Sequence, residues 1–378
     1  MLLAKSSESH IINCLNYSRE KLQQIQSQAF FCLSCKEKLK LKIGKVRMPH
    51  FAHLPDSVCQ AFSEAESPEH LALKKVIHQW ENSAQLEVYL PLLAQRPDCL
   101  IGEKLCLEIQ CSALSLEKLV ERTNNYQQKG YQVLWILGRK FALENRLSSL
   151  QRGFMNYSKN CGYHLWSLDL QTKQLILYYH ILEDYCGNIY YQHRKYPFFQ
   201  GKLTEILALA QQGDFTSHQI RDSSPVLKKY HQENCHALQK REKSIMNLQE
   251  KLYRKQLHLL KLPKYYYFPA LKPIFAQKDF FLWKQAVFEF LEEGASIKET
   301  LFHLSKLNYP AHELPNMLKS VYLVDFLLEE INGLKRLNCL LEQNGKYYLK
   351  KCQTRHVIPY DYNWKKIPKI ISCLPRKL

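Results

Sequence analysis

The 378 residues carry 53 Lys and Arg against 35 Asp and Glu, a net charge of +18, with 46% hydrophobic content. That balance describes a folded chain rather than a disordered one, and the length suits two or three domains. No apolar run approaches the ~18 residues needed to span a bilayer, and the first residues show no apolar core or cleavage-like site, so membrane insertion is not expected.

The expected compartment is the cytoplasm. The 13 cysteines are odd in number and scattered, often inside apolar stretches such as Cys99, Cys106 and Cys111. In a cytosolic chain most of them read as small core residues rather than a disulfide framework. Residues 1–225 hold 26 basic and 21 acidic side chains, while residues 226–378 hold 27 and 14, so the surplus rises from +5 to +13. The C-terminal third therefore reads as a polyanion-binding region, although basic surfaces are also common in proteins that bind nothing acidic.

Residues 1–65 read as a small module. Phe30-Phe31 leads as a short strand into Cys32-Leu33-Ser34-Cys35, Leu39-x-Leu41-x-Ile43 alternates as a strand, and His50-Phe51-Ala52-His53 follows, with Cys59 soon after. Two thiolates and two imidazoles at Cys32, Cys35, His50 and His53 suit tetrahedral Zn²⁺, and so small a module gains much from a metal staple. The interval between the two histidines is one short of the usual range, and Cys59 is the alternative to one of them. The plainer alternative is a degenerate finger packed without metal.

A second part covers residues 66–200. Ser67-Pro68-Glu69 predicts a helix start, with Ser as N-cap and Pro in the first turn, and the helix continues through Leu71, Leu73, Val76, Ile77 and Trp80. A strand is predicted near Gln85–Leu90. Arg96 to Gln110 then reads as two strands hinged at Gly102-Glu103-Lys104. Counting outward from Glu103 pairs Ile101 with Leu105 and Asp98 with Glu108, which brings two carboxylates face to face, Cβ atoms roughly 5 Å apart. Like charges held so repel each other, and a shared cation is the simplest relief. Alternation places Gln110 on the face of Glu108, while Leu107, Ile109 and Cys111 point the other way. A helix from Ser115 closing at Lys129-Gly130, a buried strand Tyr131–Leu137 and further strands at Tyr163–Leu168 and Leu175–Tyr179 complete an α/β domain.

Residues 201–378 read as a basic, mainly helical domain. Leu203–Gln211 is a short helix. Lys228–Leu260 is read as one long charged helix with Leu238, Ile245, Leu252 and Leu259 at seven-residue spacing. The aromatic-basic runs Lys264–Phe268 and Lys346–Lys351 suit base stacking in one reading, but such aromatics are more often core residues. The tail carries Lys365, Lys366, Lys369, Arg376 and Lys377 as electrostatic contacts.

These residues resemble the competence protein CoiA family of Gram-positive bacteria. The resemblance rests on Cys32–Cys35 with His50–His53, on Glu69-His70-Leu71-Ala72-Leu73-Lys74, on Arg96-Pro97-Asp98 with Leu107-Glu108-Ile109-Gln110-Cys111-Ser112, and on Arg122, Tyr126 and Tyr131–Leu137 with Trp135. It is specific over residues ~30–140. The family is similar to the PD-(D/E)xK nucleases, so the resemblance implies a restriction-endonuclease-like αβββαβ core and a role in natural transformation. It implies a Mg²⁺-dependent DNA nuclease processing incoming DNA or recombination intermediates, with recombination proteins as further partners. The alternative is a non-catalytic DNA-binding recombination mediator that keeps the nuclease fold.

In the catalytic reading Asp98 and Glu108 hold Mg²⁺ with the Ile109 carbonyl, and Glu69 touches metal-bound water. His70 and Lys74 meet the phosphate, and Lys365 and Lys366 contact DNA. Gln110 stands where most such nucleases have Lys; it orients water by hydrogen bonding but brings no charge.

Overall fold

The computed structural model describes all residues except 45–46, 56, 58, 60–65, 216–219, 222–223, 269–270, 278, 351–369 and 372–378. Lys365, Lys366 and the other basic residues of the tail lie outside the described residues. The chain divides into two compact units: Met1–Leu143 with Gly153–Tyr179 and Gln192–Gly213, and Glu144–Arg152 with His180–Tyr191 and Asp214–Leu378.

The first unit opens with β1 (Leu3–Ser6), β2 (Ile11–Asn13), helix α1 (Arg19–Gln24), β3 (Phe30–Phe31), β4 (Lys38–Lys42) and β5 (His50–His53). Its five strands form one sheet in the order β2-β1-β3-β4-β5. β4 alternates exposed Lys with buried Leu39 and Leu41, the period-2 signature of a half-buried strand. Leu39 pairs with His53 and Leu41 with Phe51, so His53 shares the inward face of Phe51 while His50 lies on the other.

Next come α2 (Pro68–Trp80), β6 (Ala84–Leu86), β7 (Cys99–Ile101), β8 (Leu105–Gln110), α3 (Leu116–Gln128) and β9 (Gln132–Leu137). The chain continues through a short helix α4 (Ser149–Gly153), β10 (Asn156–Ser158), β11 (Gly162–Asp169), β12 (Gln174–Asp184), β13 (Ile189–Pro197) and α5 (Leu203–Gln212). The main sheet runs β13-β12-β11-β9-β8-β7-β6, with β7–β8 antiparallel and β8–β9 and β9–β11 parallel. This is a mixed α/β arrangement, as expected.

The caps act as the sequence predicts. The Ser67 hydroxyl accepts the N–H of His70 at 3.1 Å, and the Ser115 hydroxyl that of Lys118 at 3.3 Å. Gly130 closes α3 with φ +76° and Gly102 turns the β7–β8 hairpin with φ +59°, left-handed values that a residue with a Cβ adopts at a cost. The hairpin register is the expected one: Ile101 pairs with Leu105 and Cys99 with Leu107. Nearly every residue of β7 and β8 is buried, so the carboxylates beside them do not face open water.

In the second unit the long helix expected over Lys228–Leu260 is interrupted. It forms α6 (Ser224–Gln239) and α7 (Lys243–Tyr253), with Arg241 at φ +52° between them. The N–H of Glu242 bonds the carbonyl of Ala237, a helix-ending pattern. The run Gln239-Lys240-Arg241-Glu242 offers no apolar residue to carry a packed stripe through the break. Helices α8 (Phe280–Glu292), α9 (Ile297–Lys306) and α10 (Lys319–Arg336) follow, and then a hairpin of Leu340–Gln343 with Lys346–Leu349. Tyr266, Tyr267 and Phe268 are buried, so the first aromatic-basic run serves the core.

Among the described residues no helix is long and apolar enough to cross a membrane. Leu107 is fully buried in β8, on the face opposite Glu108. Leu107→Ala should cost ~2–5 kcal/mol in equilibrium urea unfolding; a loss below ~1 kcal/mol would show that this strand is not the packed centre of its unit.

Candidate functional site

Lys74 is the anomaly around which the site is built. It lies on the buried stripe of α2 with Leu71, Leu73 and Ile77, and it is 0% exposed. Its ammonium contacts Glu66 Oε1 at 2.5 Å, Asp98 Oδ1 at 2.8 Å and Glu87 Oε1 at 3.0 Å. One turn earlier on the same face, His70 Nε2 lies 2.9 Å from Asp98 Oδ2, which also accepts the N–H of Ile109 at 2.8 Å. Glu87 accepts the N–H groups of Leu2 and Leu3, and Glu66 also receives the Met1 amino group at 2.5 Å.

Burial by itself raises a carboxyl group's pKa. Here the burial of Asp98 is outweighed by His70 and Lys74, which hold its carboxyl well below the usual range. Lys74 and the Met1 amino group do the same for Glu66, and Lys74 lowers Glu87. Lys74 is itself desolvated, yet the carboxylates keep its pKa well above the ordinary lysine value.

Glu108 has a separate set of partners. Its Oε1 accepts from Arg122 Nη2 and from the Tyr126 hydroxyl, both at 2.6 Å. Both donors come from α3, whose Thr123 also receives the Trp135 Nε1 bond at 3.1 Å. Trp135 is the register partner of Glu108 on β9, and the Arg122 guanidinium lies 5.3 Å from its ring centroid. Burial pushes the Glu108 carboxyl up, against the pull of Arg122. The two carboxylates facing each other across the hairpin are thus met by different cations from different helices.

The remaining expected residues fall nearby in other roles. Glu69 Oε1 accepts the N–H of Arg139 at 2.9 Å, at the turn that follows β9. A Cβ on Gly138 would lie 2.7 Å from Cys111 Sγ and 3.0 Å from that Glu69 oxygen, so glycine permits the close approach. Gln110 donates from Nε2 to the carbonyl of Ser112 at 2.8 Å. Lys74, expected at the phosphate, is instead sealed among carboxylates, and His70 is turned onto Asp98. Glu66, His70 and Asp98 together form one group whose ligand atoms lie within 4.8 Å of one another. Sequence reasoning did not single out Glu66 or Glu87. Glu66 precedes the helix cap, and its spacing of four and eight residues from His70 and Lys74 was the available signal.

The second cluster belongs to the five-stranded sheet. Cys32, Cys35, His53 and Cys59 bring four ligand atoms within 4.8 Å, with Cys35 Sγ and His53 Nε2 3.3 Å apart. Three thiols and one imidazole fit tetrahedral Zn²⁺, whose ~2.0–2.3 Å bonds set ligand atoms roughly 3.5 Å apart. His50, expected as a ligand, is not in this group; its Nδ1 lies 2.9 Å from the carbonyl of Met48. The cause is strand geometry: His50 and His53 are three apart on β5 and face opposite sides, so Cys59 is the fourth member. Burial lowers the pKa of His53, favouring the neutral imidazole a metal requires. Cys35 is pushed up to about 12 by burial, whereas at Cys32 the N–H groups of Cys35 and Ser34 outweigh burial and lower the thiol.

Removing the ammonium tests the carboxylate cluster. Lys74→Met should destabilise the chain by ~3–5 kcal/mol at neutral pH, because buried carboxylates lose their partner. The sign of the pH dependence should also change. In the native chain the lowered Asp98 and Glu66 contribute stability above pH ~4 that is lost as pH falls. In the variant Asp98 keeps His70 and Glu66 keeps the Met1 amino group, but Glu87 is buried without its ammonium and titrates above its unfolded value, so stability rises as pH falls from 7 to 5. Urea midpoints at the two pH values measure this, and parallel behaviour of both chains contradicts it.

Comparison with known proteins agrees with the two parts of this unit. Residues 66–211 match the family described as competence protein CoiA, nuclease-like domain, and residues 14–62 match competence protein CoiA, N-terminal domain. Competence protein CoiA of Bacillus subtilis (strain 168) is 32% identical over 123 residues, 31% of this chain and 33% of that protein. The matched stretch thus spans about a third of the relative's length. No solved structure matches the chain. With both family domains present in order and together covering just over half of its residues, the chain belongs to the CoiA family of competence proteins.

Proposed function

We propose that the chain is a Mg²⁺-dependent DNA nuclease of restriction-endonuclease-like architecture, acting in the cytoplasm on incoming DNA or recombination intermediates during natural transformation. The observation that carries the reading is Lys74 Nζ at 2.8 Å from Asp98. The order α2-β6-β7-β8-α3-β9, with Asp98 and Glu108 facing each other across a hairpin, supports it. At the position where this class of nuclease carries a strand lysine, Gln110 has no charge, and Lys74 supplies a cation to the same carboxylate from the helix.

Asp98 and Glu108 are the residues to hold Mg²⁺, which needs hard oxygen ligands. When bound, that ion supplies Lewis acidity to the scissile phosphate and acidifies a bound water. Lys74 contacts the carboxylate that would hold the ion, so its ammonium would stand near a water or phosphate at that site. His70 holds the second oxygen of Asp98, Arg122 and Tyr126 orient Glu108, and Gln110 orients water. Glu66 and Glu69 are the helix-side carboxylates available to it.

One observation favours a second reading, a non-catalytic recombination mediator that keeps the nuclease-like fold. Asp98 and Glu108 each already have a cation from the chain itself. In that case Lys74 replaces the metal permanently, and DNA and recombination proteins are bound without cleavage.

Purified chain with single-stranded, duplex and branched DNA decides between them. Cleavage should require Mg²⁺ or Mn²⁺ and fall to background in Asp98→Ala and Glu108→Ala. Salt-sensitive binding without any cleavage, with both variants still supporting transformation, sinks the nuclease reading. For the sheet module we propose structural Zn²⁺ on Cys32, Cys35, His53 and Cys59. Elemental analysis should find about one zinc per chain, lost in Cys59→Ser and retained in His50→Ala. A folded native chain free of zinc would contradict the site.

A further inference from the structure

Phe302 is a large aromatic left in water, 64% exposed on α9. Lys298 and Lys306 stand four residues to either side of it, so the three share one helix face at axial steps of ~6 Å. The Lys306 ammonium lies 3.9 Å from the ring centroid, and the ring is still largely open. The neighbouring α10 begins beside this face: Lys319 Nζ donates to the carbonyl of Ser305 at 3.1 Å, and Leu318 before it is 72% exposed. Among the described residues, Lys298, Lys306 and Lys319 have no carboxylate partner. Glu299 is the acid on the edge of the face, and its carboxylate already accepts the N–H of Ser296 in a capping box.

Stability does not account for this arrangement. Lys306 and Lys319 suit the negative C-terminal end of α9, but Lys298 lies in its first turn, where the helix dipole disfavours a cation. A phenyl ring left 64% exposed gains little apolar burial from folding, and the Lys306 contact occupies only part of it. We infer that this face of the second unit binds a single-stranded nucleic acid, a base stacking on Phe302 while Lys298, Lys306 and Lys319 contact flanking phosphates. A duplex hides its base faces in its own stack, so the ring selects an unpaired strand. The inference rests on the reading that the chain acts on DNA, but it does not require catalysis.

The test uses the full chain, in buffer without added divalent cations so that cleavage does not run, with fluorescein-labelled oligo(dT) and a duplex of equal length. Phe302→Ala should weaken oligo(dT) binding roughly 5- to 150-fold, the equivalent of ~1–3 kcal/mol for a stacked base, and Phe302→Trp should restore it. Replacing Lys298, Lys306 and Lys319 by Ser should make the slope of log K against log salt shallower by roughly 2, at ~0.7 per lost phosphate contact. Duplex binding should change little on Phe302→Ala. Unchanged oligo(dT) affinity in Phe302→Ala overturns the stacking site, even if the lysine variant loses affinity. Equal competition by a poly-glutamate peptide of matched charge also overturns it, in favour of an acidic protein partner. Metal-dependent cleavage by Phe302→Ala and by Asp98→Ala, measured separately, keeps failure of this surface distinct from failure of the nuclease reading.

Discussion

A single ammonium holds the first unit's polar interior together. Taking Lys74 out of water costs several kcal/mol, and so does each carboxylate buried with it; only mutual contact with good geometry offsets such penalties. The contacts come from separate parts of the chain: Glu66 before α2, Glu87 after β6 and Asp98 before β7. Because Glu87 also takes the N–H groups of Leu2 and Leu3, the same cation ties β1 of the small sheet to the main sheet. Because Asp98 takes the N–H of Ile109, it fixes β8 as well. Misplacing any one of these elements would leave a buried charge unpaired.

The opposed carboxylates of the hairpin show how environment divides two similar groups. Asp98 is drawn down by His70 and Lys74, whereas Glu108 remains above the ordinary carboxylate range despite Arg122. Cross-strand repulsion is relieved by separate side chains, Lys74 and His70 at Asp98 and Arg122 at Glu108. A divalent ion would have to compete with an ammonium at Asp98 and with a guanidinium at Glu108. It would bring two charges where each now provides one, and Lys74 would keep Glu66 and Glu87 as its anions.

Local rules were legible in the sequence; meetings between distant segments were not. Ser67, Ser115, Gly102 and Gly130 announced caps and turns because their chemistry acts within a few residues, and the count outward from Glu103 placed Ile101 opposite Leu105. The partner of Asp98 was hidden because Lys74 is an ordinary residue on a helix until tertiary structure buries it. Glu87, with φ +49° and full burial, carried no local sign of its role. His50 misled because Cys-x-x-Cys and His-x-x-His spacing implies a knuckle, while Leu39-x-Leu41 pairing turned the second pair into a strand whose alternation separates the imidazoles. The long helix failed for a similar reason: seven-residue spacing says nothing about whether the intervening residues can pack.

Charge read as a total points to a region and not to residues. Six of the 27 basic residues of 226–378, Lys229, Lys251, Arg254, Lys255, Lys284 and Lys335, each meet a carboxylate, and such pairing leaves the surplus of +13 in place. The aromatic run with the most tyrosines is core, with Tyr266, Tyr267 and Phe268 buried. What remains available to a polyanion is set by the positive groups that folding leaves unanswered. That condition is met beside Phe302, where a ring in water and ammonium groups without acids coincide on one helix face. Counting charges in a sequence cannot reveal such a place, since pairing is decided by the fold, and only the remainder can attract a strand.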